Sequence, residues 1–215
     1  TDDVIAFLEQ CVVEPAFLFG HSLGGIVALL VASQLPAGVR AVAVGDSPLS
    51  SQTFYDVLHG TRDRIAAWRD LSGGQISMQN LIAALKDSPT EVPGRSEPVP
   101  MREVMGEESP LFAWLATNLY QQDPDMLAAL IDRFEDVAAG YEMEMVLPAI
   151  ECPVLLMQAD PAVGGLMTDA EVAQASHLLS QPQHVRLEGV SHVLHNEQRA
   201  PVLEALLSSF GPASL

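Results

Sequence analysis

The hexapeptide Gly20-His21-Ser22-Leu23-Gly24-Gly25 constrains this chain more than any other stretch. The apolar run Ala16-Phe17-Leu18-Phe19 precedes it and reads as a short buried strand. Ile26 to Ala32 follows it as an apolar helix. The chain must turn from strand to helix within a few residues, and side chains flanking the serine would collide with one or the other. Glycine tolerates both the backbone angles and the close approach. The turn leaves the Ser22 hydroxyl at the tip of the strand. It also aims the Leu23 backbone N–H and the positive end of the helix dipole at the same point.

A Gly-x-Ser-x-Gly sequence wedged between strand and helix is the sequence form of a nucleophile elbow. Leu23 N–H is then the donor for a developing oxyanion. His21 is expected at the substrate-binding lip of the turn, packed beside the nucleophile rather than acting as a base, because adjacent positions on a tight turn point apart. On these residues the chain resembles the C-terminal part of an α/β-hydrolase, the superfamily of esterases, lipases and related acyl hydrolases, from about Thr1 to Phe210. The resemblance implies a partial α/β-hydrolase fold that lacks the N-terminal strands. It also implies that the second oxyanion donor, carried in that family by an earlier His-Gly-type loop, lies outside this sequence.

Strand and helix signals alternate along much of the chain. Asp2 to Cys11 carries a helical apolar stripe. The elbow helix runs to about Leu35 and stops before Pro36. Val39 to Val44 is β-branched and reads as a second strand, Cys152 to Gln158 as a third and His184 to Glu188 as a fourth. Asp169 to Leu179 and Glu197 to Phe210 read as helices. This pattern predicts an α/β fold with a parallel sheet of about four strands. The elbow strand would form a bare edge, and only the last helix would cover one sheet face. The expected partner is therefore a second copy, giving a homodimer, or a missing N-terminal segment.

The expected organisation places the first part of the core at 1–48, a helical cap at 49–147 and the second part of the core at 148–215. Within the cap, Phe54–Leu71, Ile76–Leu85, Pro110–Tyr120 and Asp125–Ala138 read as amphipathic helices, and Ser88–Pro100 as a Pro-rich irregular excursion. Phe112, Trp114, Tyr120, Met101, Met105, Met143 and Met145 are available for an apolar acyl pocket or for plain core.

Ser22, Asp160 and His192 occur in the chain order of the resembling family, each just beyond a predicted strand. In a parallel sheet those ends lie along one edge. A serine hydroxyl needs a base to take its proton during attack, and neutral imidazole serves near neutral pH. A carboxylate then fixes the imidazole tautomer. Asp46, at the end of the second strand, is the alternative acid, with a turn role as its competing reading. Asp169 ranks below both. His195 competes with His192, though the start of the last helix accounts for it.

Composition narrows the function. The formal charge is −18, from 28 acidic and 10 basic residues, with Lys86 the only lysine. A basic nucleic-acid surface and attachment to an anionic membrane are both disfavoured. The two cysteines, Cys11 and Cys152, have no metal-ligand spacing. No metal or organic cofactor is implied. No apolar run is long enough to span a membrane and no secretory start is visible, so a cytoplasmic location is expected.

The leading expectation is a serine hydrolase that cleaves carboxylic esters of small or medium acyl groups through an acyl-enzyme on Ser22. The alternative is a weak or inactive hydrolase-derived binding module, because the second donor loop is missing. C–C bond, thioester and lactone cleavage remain open.

Overall fold

The computed structural model describes residues 1–90, 92 and 95–211. The chain opens with α1 (Asp2–Cys11), β1 (Ala16–His21), α2 (Leu23–Gln34) and β2 (Val39–Gly45). Helices α3 (Ser51–Gly60), α4 (Arg62–Leu71) and α5 (Met78–Asp87) follow. The expected single helix over 54–71 is thus broken at Gly60-Thr61, where glycine weakens a helix interior. Within the Pro-rich excursion, β3 (Pro89–Thr90) pairs antiparallel with β4 (Val99–Pro100). Then come α6 (Met101–Met105), α7 (Leu111–Gln121), α8 (Pro124–Asp132), α9 (Phe134–Ala138) and α10 (Met143–Val146). The core resumes with β5 (Val154–Ala159), α11 (Asp169–Leu178), β6 (Pro182–Leu187), α12 (Leu194–Glu197) and α13 (Arg199–Phe210).

The main sheet has four parallel strands, as the sequence pattern predicts, and their order is β1-β2-β5-β6. The central strands carry continuous apolar runs and are buried on both faces: β5 is buried at every position and β2 at all but Arg40. β1 and β6 are the edges, and each is partly exposed along its length.

Side-chain alternation assigns the helices to faces. Val44 faces α2, where its Cγ1 lies against the backbone of Gly25. Its neighbour Ala43 packs in a cluster with Val202 and Ala205 of α13. The two helices therefore cover opposite faces of the sheet. Phe19 pairs in register with Ala43 and shares the α13 face, and Phe17 meets Phe210 at 5.9 Å between ring centroids. Even so, Phe17 and Phe19 remain 46% and 44% exposed.

Two compact units emerge, one of Thr1–Val57 with Ala138–Leu215 and one of Leu58–Val137. The first holds the sheet. The second is helical, with Leu81, Leu85, Phe112, Ala116 and Leu119 as its core. Residues 49–57 and 138–147, expected with the insertion, group with the sheet. One tie there is the Tyr141 hydroxyl, which donates to the Leu49 carbonyl at 2.7 Å. Burial, with Glu171 and Glu144 nearby, pushes the Tyr141 phenol above its ordinary value, so it stays a donor.

Replacing Tyr141 by Phe leaves the Leu49 carbonyl without that donor in a buried setting. The expected loss is about 1–3 kcal/mol in urea-melt stability, with no change in denaturant slope.

Candidate active site

Among the described residues, two non-glycine residues have positive φ: Ser22 at 54° and Asp46 at 43°. A non-glycine residue in that region costs about 1–3 kcal/mol and persists only where its surroundings enforce it. Both stand at the C-terminal ends of adjacent strands, β1 and β2. Ser22 N–H donates to the Gly45 carbonyl at 2.9 Å, and the buried Ser47 hydroxyl donates to the Ser22 carbonyl at 2.6 Å. The serine turn is thereby clamped on both sides of its Cα.

Two glycines make this clamp possible. A methyl group on Gly20 would strike the Gly24 carbonyl, and one on Gly25 would strike the Ser47 hydroxyl. At Gly24 a Cβ would meet open space. The essential pair is therefore 20 and 25, not the 20 and 24 of the Gly-x-Ser-x-Gly pattern. Leu23 is the first residue of α2. The first amides of a helix have no intrahelical acceptor, which leaves Leu23 N–H beside Ser22 available to a ligand oxygen.

Asp46 is fully buried. Its Oδ1 accepts from Ala159 N–H at 3.2 Å and Met167 N–H at 3.1 Å, and its Oδ2 from Leu166 N–H at 2.9 Å. The fourth partner is His192, whose Nδ1 lies 2.8 Å from Oδ2. Burial pushes the Asp46 carboxyl up, but the bonds from His192, Leu166 and Met167 together outweigh it and hold the group below its ordinary range. Asp46 is thus an anion, and Nδ1 of His192 carries the proton between them. This leaves Nε2 of His192 as the basic nitrogen.

Asp160, the first-ranked acid from the sequence, is not brought to His192. Its Oδ1 accepts from Ala162 N–H at 2.9 Å and its Oδ2 from Gly189 N–H at 3.0 Å, and Arg186 lies at 3.6 Å. The Gly189 and Ala162 amides lower its pKa, opposed by slight desolvation and aided by Arg186. Asp160 caps the short turn Pro161–Val163 and ties the 189–192 loop to the end of β5. Asp-Pro opening a helical turn is a capping signal, and it was legible in the sequence. Asp169 serves as acceptor for Gln158 at 2.7 Å and Arg186 at 3.0 Å. Ser47 is the residue that sequence reasoning missed. Only its place after a buried strand could have marked it.

The histidines gather beside the serine turn. His21 packs its ring 4.5 Å from that of His192 and 4.6 Å from that of His195. No hydrogen bond joins the Ser22 hydroxyl to the His192 ring among the described residues; His21, next to Ser22 in the chain, has its Nε2 2.8 Å from the His192 carbonyl oxygen. Of the apolar residues considered for a pocket, Phe112 is core with Met101 and Met105 packed on its cluster, and Met143 is core. Trp114, Tyr120 and Met145 are exposed. Among the described residues no group of three or more His, Cys, Asp or Glu side chains is arranged to hold a metal ion, and no helix is long and apolar enough to cross a membrane.

The profile of the Alpha/beta hydrolase family matches residues 1–205, and the chain belongs to that family. No curated protein matches it. Solved structures share its fold at low identity. A bacterial membrane phospholipase A described as a virulence factor is 22% identical, with a TM-score of 0.60, over 96% of this chain and 60% of its own. A hydrolase from Pseudomonas aeruginosa PA01 is 19% identical, with a TM-score of 0.63, over 98% and 70%. A marine microorganism esterase is 16% identical, with a TM-score of 0.69, over 96% and 74%. The chain thus spans less than two thirds of the phospholipase's length.

Gly20→Ala should destabilise the protein by more than the ~1–3 kcal/mol of ordinary overpacking, because the obstacle is backbone. Gly24→Ala should be neutral or stabilising by up to ~1 kcal/mol. Urea melts of the two variants give the comparison.

The Asp46 carboxyl titrates below its unfolded value near 3.8, so its stabilisation is complete above that value and is lost as pH falls through the lowered folded one. Wild-type urea midpoints should therefore fall more steeply as pH drops below about 4 than those of Asp46→Asn.

Proposed function

We propose that this protein is a serine hydrolase that cleaves carboxylic esters of small or medium acyl groups, with Ser22 as nucleophile, His192 as base and Asp46 as the acid. The observation that carries this reading is the 2.8 Å contact between His192 Nδ1 and the buried Asp46 carboxylate. A carboxylate in that place fixes the tautomer in which Nε2 can take a proton, and it stabilises the imidazolium that results. Asp160, fully engaged with Gly189 and Ala162, supports the loop instead.

In the first half-reaction Ser22 Oγ bonds to the ester carbonyl carbon while its proton passes to His192 Nε2. The carbonyl oxygen becomes an oxyanion, to which Leu23 N–H donates. Collapse of the intermediate breaks the bond to the alcohol, which leaves with the proton from His192. Water then repeats the sequence on the acyl-Ser22 ester, with His192 again as base, and releases the acid. Loss of one oxyanion donor costs about 10²–10³ in rate in comparable sites, so the source of a second donor bears directly on how fast this chain turns over.

A fluorophosphonate probe should label wild type and not Ser22→Ala, and only wild type should hydrolyse p-nitrophenyl acetate and butyrate. Asp46→Asn should lower kcat by about 10³–10⁴ and Asp160→Asn by less than about tenfold. Equal losses in the two Asn variants would overturn the choice of acid. A folded wild type that neither labels nor turns over either ester would favour the binding-module alternative.

A further inference from the structure

Three turns supply the proposed site: residues 20–25, 45–47 and 189–195. The first and second are joined twice, by Ser22 N–H to the Gly45 carbonyl and by the Ser47 hydroxyl to the Ser22 carbonyl. The second and third are joined by Asp46 and His192. The first and third share one hydrogen bond among the described residues: His21 Nε2 lies 2.8 Å from the His192 carbonyl oxygen. A carbonyl only accepts, so Nε2 of His21 carries the hydrogen.

We propose that His21 is a positioning residue that sets the reach between Ser22 and His192, by bonding the His192 carbonyl and packing against the His192 ring. The proposal rests on the reading of Ser22 and His192 as nucleophile and base.

Both ends of this strut are well placed. His21 is the last residue of β1, paired in register with Gly45, and its Cα is adjacent to that of Ser22. Its backbone is therefore fixed by the same ladder that fixes the serine and the residue before Asp46. At the other end, the His192 carbonyl is held within the residue whose ring must act. The Asp46 bond alone would leave that ring free to swing about the Nδ1–Oδ2 axis. A second attachment through the main chain, with a ring face 4.5 Å away, removes that freedom. His195 also packs edge-on against His21, at 4.6 Å.

The charge state suits the role. Burial lowers the His21 pKa; the His192 carbonyl and, more weakly, Asp46 oppose this, while His192 and His195 add to it. A neutral ring can lie against an imidazole that becomes cationic during catalysis. A second cation there would disfavour that step.

The test compares His21→Phe, which keeps an aromatic ring without the donor, with His21→Gln, which keeps an amide N–H of similar reach. His21→Phe should lower kcat on p-nitrophenyl acetate by about 10²-fold, the scale of a 1 Å misplacement. KM should change by less than about threefold, as expected when transition-state rather than ground-state binding is lost. His21→Gln should recover at least about tenfold of the loss. Independently of turnover, the His192 Nδ1 proton on Asp46 gives a downfield ¹H NMR resonance, which should broaden or disappear in His21→Phe and return in His21→Gln.

A folded His21→Phe protein with kcat/KM within about twofold of wild type and an unchanged resonance overturns the proposal. If His21→Phe does not fold, His21→Asn takes its place, because its amide is too short to reach the His192 carbonyl. If wild type shows no esterase activity but the resonance responds as described, the strut stands and the hydrolase reading falls.

Discussion

A single buried carboxylate organises this end of the sheet. Asp46 gathers two amides from the 166–167 loop, one from the last residue of β5 and the imidazole of His192. A carboxylate taken wholly out of water is tolerable only when its oxygens are occupied by donors. The reverse dependence also holds. The loop after β5 and the loop after β6 both find an anion to close on, so three crossings of the sheet are stitched at one point. The left-handed backbone at Asp46 is the conformational strain that this convergence sustains.

Much of the architecture was legible because it depends on local pattern. Ala41–Val44 and Val154–Met157 are continuous apolar runs, and a run of that kind has few alternatives to an interior parallel strand. The serine turn was legible for the same reason, since glycines between an apolar strand and an apolar helix leave the backbone few routes. The acid was not. Asp46 and Asp160 both follow buried strands, and nothing local says which of them a histidine over thirty residues downstream of the second will meet. That choice depends on where Gly189 N–H and the 166–167 amides fall in three dimensions. The one local hint, proline directly after Asp160, favoured a cap.

The division of labour between the two aspartates is itself informative. One carboxylate accepts from the imidazole and three amides. The other accepts from Gly189 and Ala162, with Arg186 alongside, and so anchors the loop that carries the imidazole. The same residue type at equivalent strand ends thus serves two ends, one electrostatic and one mechanical. Their neighbours separate them: a histidine beside the fully buried Asp46, an arginine beside Asp160, which keeps 9% of its surface exposed.

Among the described residues the strand that precedes Ser22 pairs with one neighbour, and its two phenylalanines meet solvent for almost half their surface. Segments with few buried contacts open at lower free energy than the interior they border. Ser22, the proposed nucleophile, therefore follows one of the more weakly held strands of the sheet, while Asp46, the proposed acid, follows one of the most firmly held. Amide protons of residues 16–21 should be governed by local opening, those of 39–45 by global unfolding. The arrangement of the proposed site can therefore come apart while most of the molecule is still folded.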